Sequence, residues 1–391
     1  MTDFKILIVD DEPFNVDYLE QELDDLGYKT VSACNGQEAL EKVQAESPDL
    51  LLLDIMMPVM DGFEVLSRLK ANPTTRDLPV IVISANTDLK SVVRGIQMGA
   101  EDYLPKPFED TMLRARIASS LEKKRLRDIE QLYMKSMEHE LEIGRKIQKR
   151  FLPASLPQVE GWEIAEYFKA AREVAGDFYD AFLLPDGKLV CVVGDVCDKG
   201  VGAALFMTLF RSLVRVTALT DLYSDRNELA SLSPVERLQH IISFTNNYIC
   251  ETHWDANMFA TLFVGIINPL DGTLTYANCG NERPILGGAG GEPTVLQATN
   301  PVVGIFPWAQ YVIRQTCLEK CDMLLIFTDG IPDARNGANQ EFGKAPVLKK
   351  MSDCNRTATD QLGQIVAELQ SFIGTAEQFD DITMLAIRRN F

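Results

Sequence analysis

Short apolar runs that end in a carboxylate recur along this chain. Ile6-Leu7-Ile8-Val9 runs into Asp10-Asp11, and Leu50-Leu51-Leu52-Leu53 runs into Asp54. Runs without polar interruption predict strands buried on both faces. Strands are predicted at 5–9, 29–33, 50–54, 80–84 and 102–104, and amphipathic helices near 14–26, 36–46, 62–70, 89–98 and from 110 onward. Strand–helix alternation of this kind implies a parallel sheet covered on both faces. Pro48, Pro58, Pro79, Pro105 and Pro107 punctuate the joints.

The pattern changes at residues 109–150, which hold no proline, one glycine (Gly144) and many Leu, Glu, Lys and Arg. A single long helix is expected. Leu126, Ile129 and Tyr133 keep a 3-4 spacing; Ser136 and Glu140 then take the seam positions while Met137 and Leu141 lie one residue later, a shift of register. The expected role is a dimerising coiled coil, and the alternative is a solitary linker helix packed on a neighbour. Pro153 and Pro157 end it. Beyond, strands are predicted at 162–168, 177–184, 188–195, 260–267, 273–278, 311–317, 322–328 and 382–388, with helices near 200–217, 234–250 and 358–373. Many strands with a few long helices predict a sheet-rich α/β sandwich.

Composition narrows the function. The net charge of −19 argues against binding a nucleic-acid backbone. No apolar run approaches the ~20 residues that span a bilayer. The N-terminus leads straight into a strand, so neither a signal peptide nor a membrane partner is expected, and the expected location is cytoplasmic. The eight cysteines form no C-x-x-C pair and read as buried reduced thiols. The three histidines, His139, His240 and His253, are scattered, which disfavours a zinc site or a Ser-His-Asp triad.

Asp10, Asp11 and Asp54 end strands that would be neighbours in a doubly wound sheet of order 2-1-3-4-5, where ligands lie beyond the carboxyl ends of the strands. Three carboxylates there repel one another unless a divalent cation binds. Ser84 ends the next strand with a hydroxyl, and Lys106 ends the fifth with an ammonium. Such a pocket suits a carboxylate that accepts a phosphoryl group, with Lys106 holding phosphate oxygens.

These motifs are Val9-Asp10-Asp11, Leu53-Asp54-Ile55-Met56-Met57-Pro58-Val59-Met60-Asp61-Gly62, Ile83-Ser84-Ala85 and Lys106-Pro107. On them, residues 1–121 resemble the receiver domain of two-component response regulators, a flavodoxin-like doubly wound fold. The resemblance implies Asp54 as phosphoacceptor and Mg²⁺ among Asp10, Asp11, Asp54 and the Met56 carbonyl. It also implies Ser84 and Tyr103 as switch residues, Lys106 as phosphate ligand, and a sensor histidine kinase or phosphotransfer protein as donor.

A second acidic set is spread over the C-terminal region, in Ala175-Gly176-Asp177-Phe178-Tyr179-Asp180, Gly194-Asp195-Val196-Cys197-Asp198-Lys199-Gly200, Thr328-Asp329-Gly330 and Asp380-Asp381-Ile382-Thr383. Singly, each aspartate reads as a turn or cap residue. Together, four convergent carboxylates would hold two hard cations that share a ligand, a device for hydrolysing phosphate esters without a cysteine or histidine.

The order and spacing resemble the metal-dependent (type 2C) serine/threonine protein phosphatases, in particular the bacterial branch of sporulation and stress-sigma-factor switching. Residues 151–391 would form this domain, an α-β-β-α sandwich, preceded by Ile147-Gln148-Lys149-Arg150-Phe151-Leu152-Pro153. The resemblance implies two Mn²⁺ or Mg²⁺ ions. Asp195 would bridge them, Asp329 and Asp380 would complete one, and Asp177 with the Val196 carbonyl would serve the other. Asp381 is an alternative or helper to Asp380, because sequence does not separate adjacent carboxylates. Ala175 stands where a glycine is common, and Asn281 where the branch usually has histidine.

The resemblance implies a response regulator whose phosphorylation at Asp54 controls a phosphatase, with a phosphorylated anti-sigma-factor antagonist as substrate and a homodimer as the assembly. The alternative is a non-enzymatic adaptor that binds a sigma-factor regulator through the same fold. Two other features carry less. Gly287-Gly288-Ala289-Gly290-Gly291 reads as a hairpin turn, and Met207, Leu209, Phe210, Leu213 and Val214 read as a core stripe.

Overall fold

The computed structural model describes residues 4–85, 89–219, 232–288, 292–352 and 356–390. The chain divides into two compact units, Met1–Met137 and Glu138–Phe391.

The first unit runs β1 (Lys5–Val9), α1 (Pro13–Asp25), β2 (Lys29–Ala33), α2 (Gly36–Glu46), β3 (Leu50–Asp54), α3 (Gly62–Ala71), β4 (Val80–Ala85), α4 (Leu89–Gln97) and β5 (Asp102–Lys106). The strands pair in parallel in the order β2-β1-β3-β4-β5, the doubly wound order expected from the alternation. The unbroken leucine run of β3 is explained by its two faces. Leu51 and Leu53 pack with Ala39, Val43, Phe63 and Val65 of α2 and α3, whereas Leu50 and Leu52 pack with Leu19 and Leu23 of α1. Asn35 and Asp61 cap α2 and α3 by accepting from the Glu38 and Glu64 amides at 3.0 and 2.8 Å.

The helix predicted from 110 onward is α5 (Asp110–Phe151), a single element of 42 residues, ~63 Å long at 1.5 Å per residue. Leu113, Ile117 and Leu121 cover the parallel sheet. Farther along, Leu126, Ile129, Tyr133 and Met137 are exposed. The helix continues without a break past residue 121 and stops before Pro153.

The second unit continues with β6 (Trp162–Lys169), β7 (Asp177–Leu183), β8 (Leu189–Val196), α6 (Val201–Ala218), α7 (Pro234–Thr252), β9 (Ala260–Ile267), β10 (Thr273–Cys279), β11 (Ile285–Gly287), β12 (Thr294–Val295), β13 (Arg314–Cys317), β14 (Met323–Phe327), α8 (Ala345–Met351), α9 (Ala358–Ile373) and β15 (Ile382–Arg389). It forms two antiparallel sheets, β13-β10-β9-β8-β7 and β12-β11-β14-β15-β6. Helices α6 and α7 cover the first sheet, and α8 and α9 the second. Alternate residues of β14 divide between two cores: Leu324 and Ile326 meet the first sheet's core, while Met323, Leu325 and Phe327 join that of α8 and α9. This is the expected α-β-β-α sandwich. Met207, Phe210 and Val214 of the predicted stripe are buried.

Among the described residues, β11, β12, α8 and a 3-10 turn at Trp254–Ala256 escape the sequence pattern, and β13 starts later than predicted, at Arg314. Strands of two to four residues carry too little periodicity to read. Strands β11 and β12 pair antiparallel, but residues 289–291 of the predicted turn lie outside the described residues. Cys354 does too. The thiol expectation holds for Cys191 and Cys279, which are buried; Cys34 and Cys317 are exposed. Among the described residues one helix, α6, is long and apolar enough to cross a membrane by length and composition. In the fold it covers β7 and β8, and its Arg211 and Arg215 pair with Asp180.

Candidate functional site

The first acidic site forms where β1 and β3 end side by side. Asp10 and Asp54 are buried, Asp11 is exposed, and the three offer carboxylate oxygens mutually within 4.8 Å. Lys106, at the end of β5, reaches across to Asp10 Oδ2 at 2.8 Å and Asp54 Oδ2 at 2.5 Å. Burial raises the Asp54 carboxyl above its ordinary range, and the Lys106 ammonium opposes that only in part. For Lys106, burial alone would lower the ammonium, but hydrogen bonds and charge from Asp10 and Asp54 outweigh it and raise it. Asn15, unnoticed in the sequence, donates to Asp10 Oδ1 at 3.0 Å. The Met56 amide donates to Asp54 Oδ1 at 3.2 Å, while its side chain is exposed. Ser84 is buried at the end of β4, and Tyr103 on β5 lies under the Arg116 guanidinium, 5.4 Å from its ring centre.

The second site gathers where β7, β8, β14 and β15 end. Asp177 and Asp195 are direct cross-strand partners on β7 and β8. Asp177 is buried, and its Oδ2 accepts hydrogen bonds from Thr328 Oγ1 at 2.7 Å and Thr383 Oγ1 at 2.6 Å. One carboxylate oxygen therefore ties the two sheets together. Both threonines lie inside the acidic motifs, Thr328 next to Asp329 and Thr383 two residues after Asp381, and that proximity was the available signal. Asp329 follows β14, and Gly330 beside it admits no side chain: a Cβ would lie 1.8 Å from the Asp381 carbonyl oxygen. Glycine at that position lets the Asp329 turn close on the Asp380–Asp381 segment.

Asp380 and Asp381 have different surroundings. Asp381 is buried and accepts backbone amides of the loop before β7, Ala171 at 2.7 Å and Gly176 at 2.8 Å, and that of Asp177, the first residue of β7, at 3.4 Å. Asp380 is half-buried, and its Oδ2 lies 2.8 Å from Lys199 Nζ. The close approach to β8 is made at Gly176, where a Cβ would lie 2.9 Å from the Val196 carbonyl oxygen, so Ala175 needs no glycine. Ala175 is instead held by Gln148 of α5, which donates Nε2 to its carbonyl at 2.7 Å and accepts its amide on Oε1 at 3.0 Å. Asn281 is buried and donates to the Phe327 carbonyl at 3.1 Å, bracing the strand end before Asp329.

The carboxylates raise one another. Burial, then the charges of Asp329 and Asp380, push Asp195 up to about 7. Burial, then Asp380, Asp333 and Glu282, push Asp329 up to about 6. Asp177 rises well above its ordinary value through burial and the charges of Asp195 and Asp381, against the pull of the two threonine hydroxyls. Among the described residues, Asp10, Asp11 and Asp54 are the one set of three donors within 4.8 Å; Asp177, Asp195, Asp329 and Asp380 do not form such a set. All donors at both sites are hard oxygens whose charge is incompletely balanced, which fits Mg²⁺ or Mn²⁺.

The family model of stage II sporulation protein E (SpoIIE) matches residues 185–390, and that of the response regulator receiver domain matches residues 6–118. The chain belongs to the SpoIIE family of protein-phosphatase-like domains and carries a receiver domain ahead of it. It is 41% identical over 263 residues to Protein IcfG of Synechocystis sp., covering 64% of this chain and 42% of that protein. It is 44% identical over 115 residues to Response regulator PleD of Caulobacter vibrioides, covering 29% of this chain and 25% of that protein. The chain thus spans less than half the length of these relatives. The SiaA-PP2C domain of Pseudomonas aeruginosa shares the fold of the second unit, with a TM-score of 0.54 and 21% identity over 66% of this chain and 98% of that domain. Receiver and phosphatase domains of these kinds generally use Mg²⁺ or Mn²⁺, and a receiver domain implies a phosphodonor partner.

Proposed function

We propose that this chain is a response regulator whose output is a metal-dependent protein serine/threonine phosphatase. The observation that carries the reading is the convergence of Asp177, Asp195, Asp329 and Asp380 at the meeting ends of two sheets, in a domain of the SpoIIE family. Asp195 would hold both divalent ions, Asp329 and Asp380 one of them, and Asp177 with the Val196 carbonyl the other. Asp381 acts on the backbone, fixing the loop that leads into Asp177. When bound, the ions supply Lewis acidity toward a phosphate ester and a lowered pKa of water. Thr328 and Thr383 orient the Asp177 carboxylate, and the Gly330 turn presents Asp329.

In the first unit Asp54 would accept the phosphoryl group, with Asp10, Asp11 and the Met56 carbonyl holding Mg²⁺ beside it. Lys106 would meet the phosphate oxygens, and Ser84 and Tyr103 would carry the change outward. Residues 1–121 are assigned to the receiver, 109–150 to the helical linker and 151–391 to the phosphatase. The exposed Leu126, Ile129, Tyr133 and Met137 support a homodimer formed through α5. A sensor histidine kinase or phosphotransfer protein is the proposed donor. A phosphoserine or phosphothreonine of an anti-sigma-factor antagonist is the proposed substrate, on family likeness.

The catalysis is tested by phosphate release from a phosphopeptide with and without Mn²⁺. Release should require the metal and fall at least a hundredfold, on the order of 3 kcal/mol of barrier, in Asp195→Asn. Undiminished turnover in that variant refutes the assignment.

A further inference from the structure

We propose that Lys199 is a built-in competitor for the divalent cation at Asp380. The inference rests on the metal reading above and adds a cation that the chain itself supplies to that site.

Lys199 lies in the loop that joins β8 to α6, four residues after Asp195. The loop is shaped to aim it. Asp198 adopts a left-handed φ of 72°, and its Oδ1 accepts the Lys199 amide at 2.8 Å. The Lys199 ammonium then crosses to a segment distant in sequence. Nζ lies 2.8 Å from Asp380 Oδ2, donates to the Phe379 carbonyl at 3.0 Å, and sits 4.8 Å from the centre of the Phe379 ring. The Arg335 guanidinium lies 5.0 Å from the centre of the same ring, which helps hold Phe379 beside Asp380. Lys199 is close enough to Asp329 to oppose the rise of that carboxyl.

Backbone carbonyl, aromatic ring and carboxylate together make a seat for an ammonium, and the carboxylate is one of the four assigned to the ions. The lone pair that Asp380 Oδ2 gives to Nζ is denied to a divalent ion, and two cations on one carboxylate repel. Divalent binding at Asp380 therefore works against the Lys199 contact. Lys199 offsets part of the negative charge at Asp380 and Asp329 when no metal is bound.

The test is Mn²⁺ titration by calorimetry on the purified full chain at fixed pH and ionic strength, comparing wild type with Lys199→Met and Lys199→Arg. Removal of a competitor should tighten the weaker Mn²⁺ step in Lys199→Met by roughly two- to fivefold, the reach of a partly exposed ion pair. Lys199→Arg keeps the charge and should stay at the wild-type affinity. A second readout is thermal stability without metal, which should fall in Lys199→Met and return to the wild-type value once Mn²⁺ saturates. Equal or weaker binding by Lys199→Met overturns the inference, as does equal tightening by Lys199→Arg, because charge would then not be the cause. Absence of Mn²⁺ binding by the wild type instead overturns the metal reading, and this inference with it.

Discussion

Asp180→Ala removes a carboxylate shared by two arginines. Asp180 is 1% exposed, and it accepts from Arg215 Nη1 at 2.7 Å while its Oδ2 lies 2.9 Å from Arg211 Nη2. The two arginines are unequal. The Arg211 side chain is 11% exposed, and its Nε is buried with no hydrogen-bond partner among the described residues. Burial holds the Arg211 guanidinium below its ordinary value, and the Asp180 charge is the first opposing influence. Arg215 is 36% exposed, and its guanidinium also lies 4.6 Å from the centre of the Phe182 ring, so it can turn to water or stay on the ring. Breaking a buried pair from one side costs about 3–5 kcal/mol because a charge is left without a partner. In a domain of this size each kcal/mol moves the melting temperature by about 2–4 °C, so the transition of the second unit should fall by roughly 6–20 °C in Asp180→Ala. Arg215→Ala leaves Asp180 paired with Arg211 and removes only the more exposed arginine, so it should cost about 1 kcal/mol. Differential scanning calorimetry of the full chain measures both, with the receiver's own transition as the internal reference. A shift below ~2 °C for Asp180→Ala, or equal shifts for the two variants, refutes the ranking.

Without metal, the second unit should lose stability as pH rises. Asp195 at about 7 and Asp329 at about 6 keep protons that the unfolded chain releases near pH 4, so their contribution is fully present below about pH 4 and gone by about pH 7. Melting in a chelator across that range should slope downward, Asp195→Asn should flatten it, and a rising slope refutes the coupling. Asp54→Asn should abolish acid-labile labelling by a small-molecule phosphodonor; label that survives the substitution refutes Asp54 as acceptor. Gly330→Ala forces a Cβ to within 1.8 Å of the Asp381 carbonyl oxygen and should destabilise the second unit by at least about 1–3 kcal/mol, measured by urea unfolding. A neutral outcome refutes the close packing of that turn.

Much of the fold was legible because several strands are buried on both faces. β1, β3 and β9 begin and end where the apolar runs do, at 5–9, 50–54 and 260–267, and β2 matches the predicted 29–33 although only Ala33 in it is buried. What escaped was short, or depended on partners far away in sequence. β11 and β12 gain their definition from pairing with β14 and with each other, which no local period announces. The acidic residues were legible as a group, but their division of labour was not. Asp381 turns out to bind backbone amides and Asp380 an ammonium, although the two are chain neighbours. Asp180, three residues from Asp177, serves an ion pair rather than the site. Such distinctions arise from groups far apart in sequence, 35 residues for Asp180 and Arg215 and 210 for Asp381 and the Ala171 amide.

Gln148 closes both ends of its amide on the main chain of a single residue, Ala175. That residue stands two before Asp177, and Gln148 belongs to a helix that is continuous back to Asp110. An α-helix is stiff and advances about 100° per residue, so it behaves as an axle, with Gln148 as a key seated in the slot that Ala175 provides. The pair of bonds resists rotation of the axle as well as withdrawal, since a turn of even part of one residue misaligns donor and acceptor together. The position of Ala175, two residues from Asp177, is thereby indexed to the angular setting of the turn of α5 that carries Gln148.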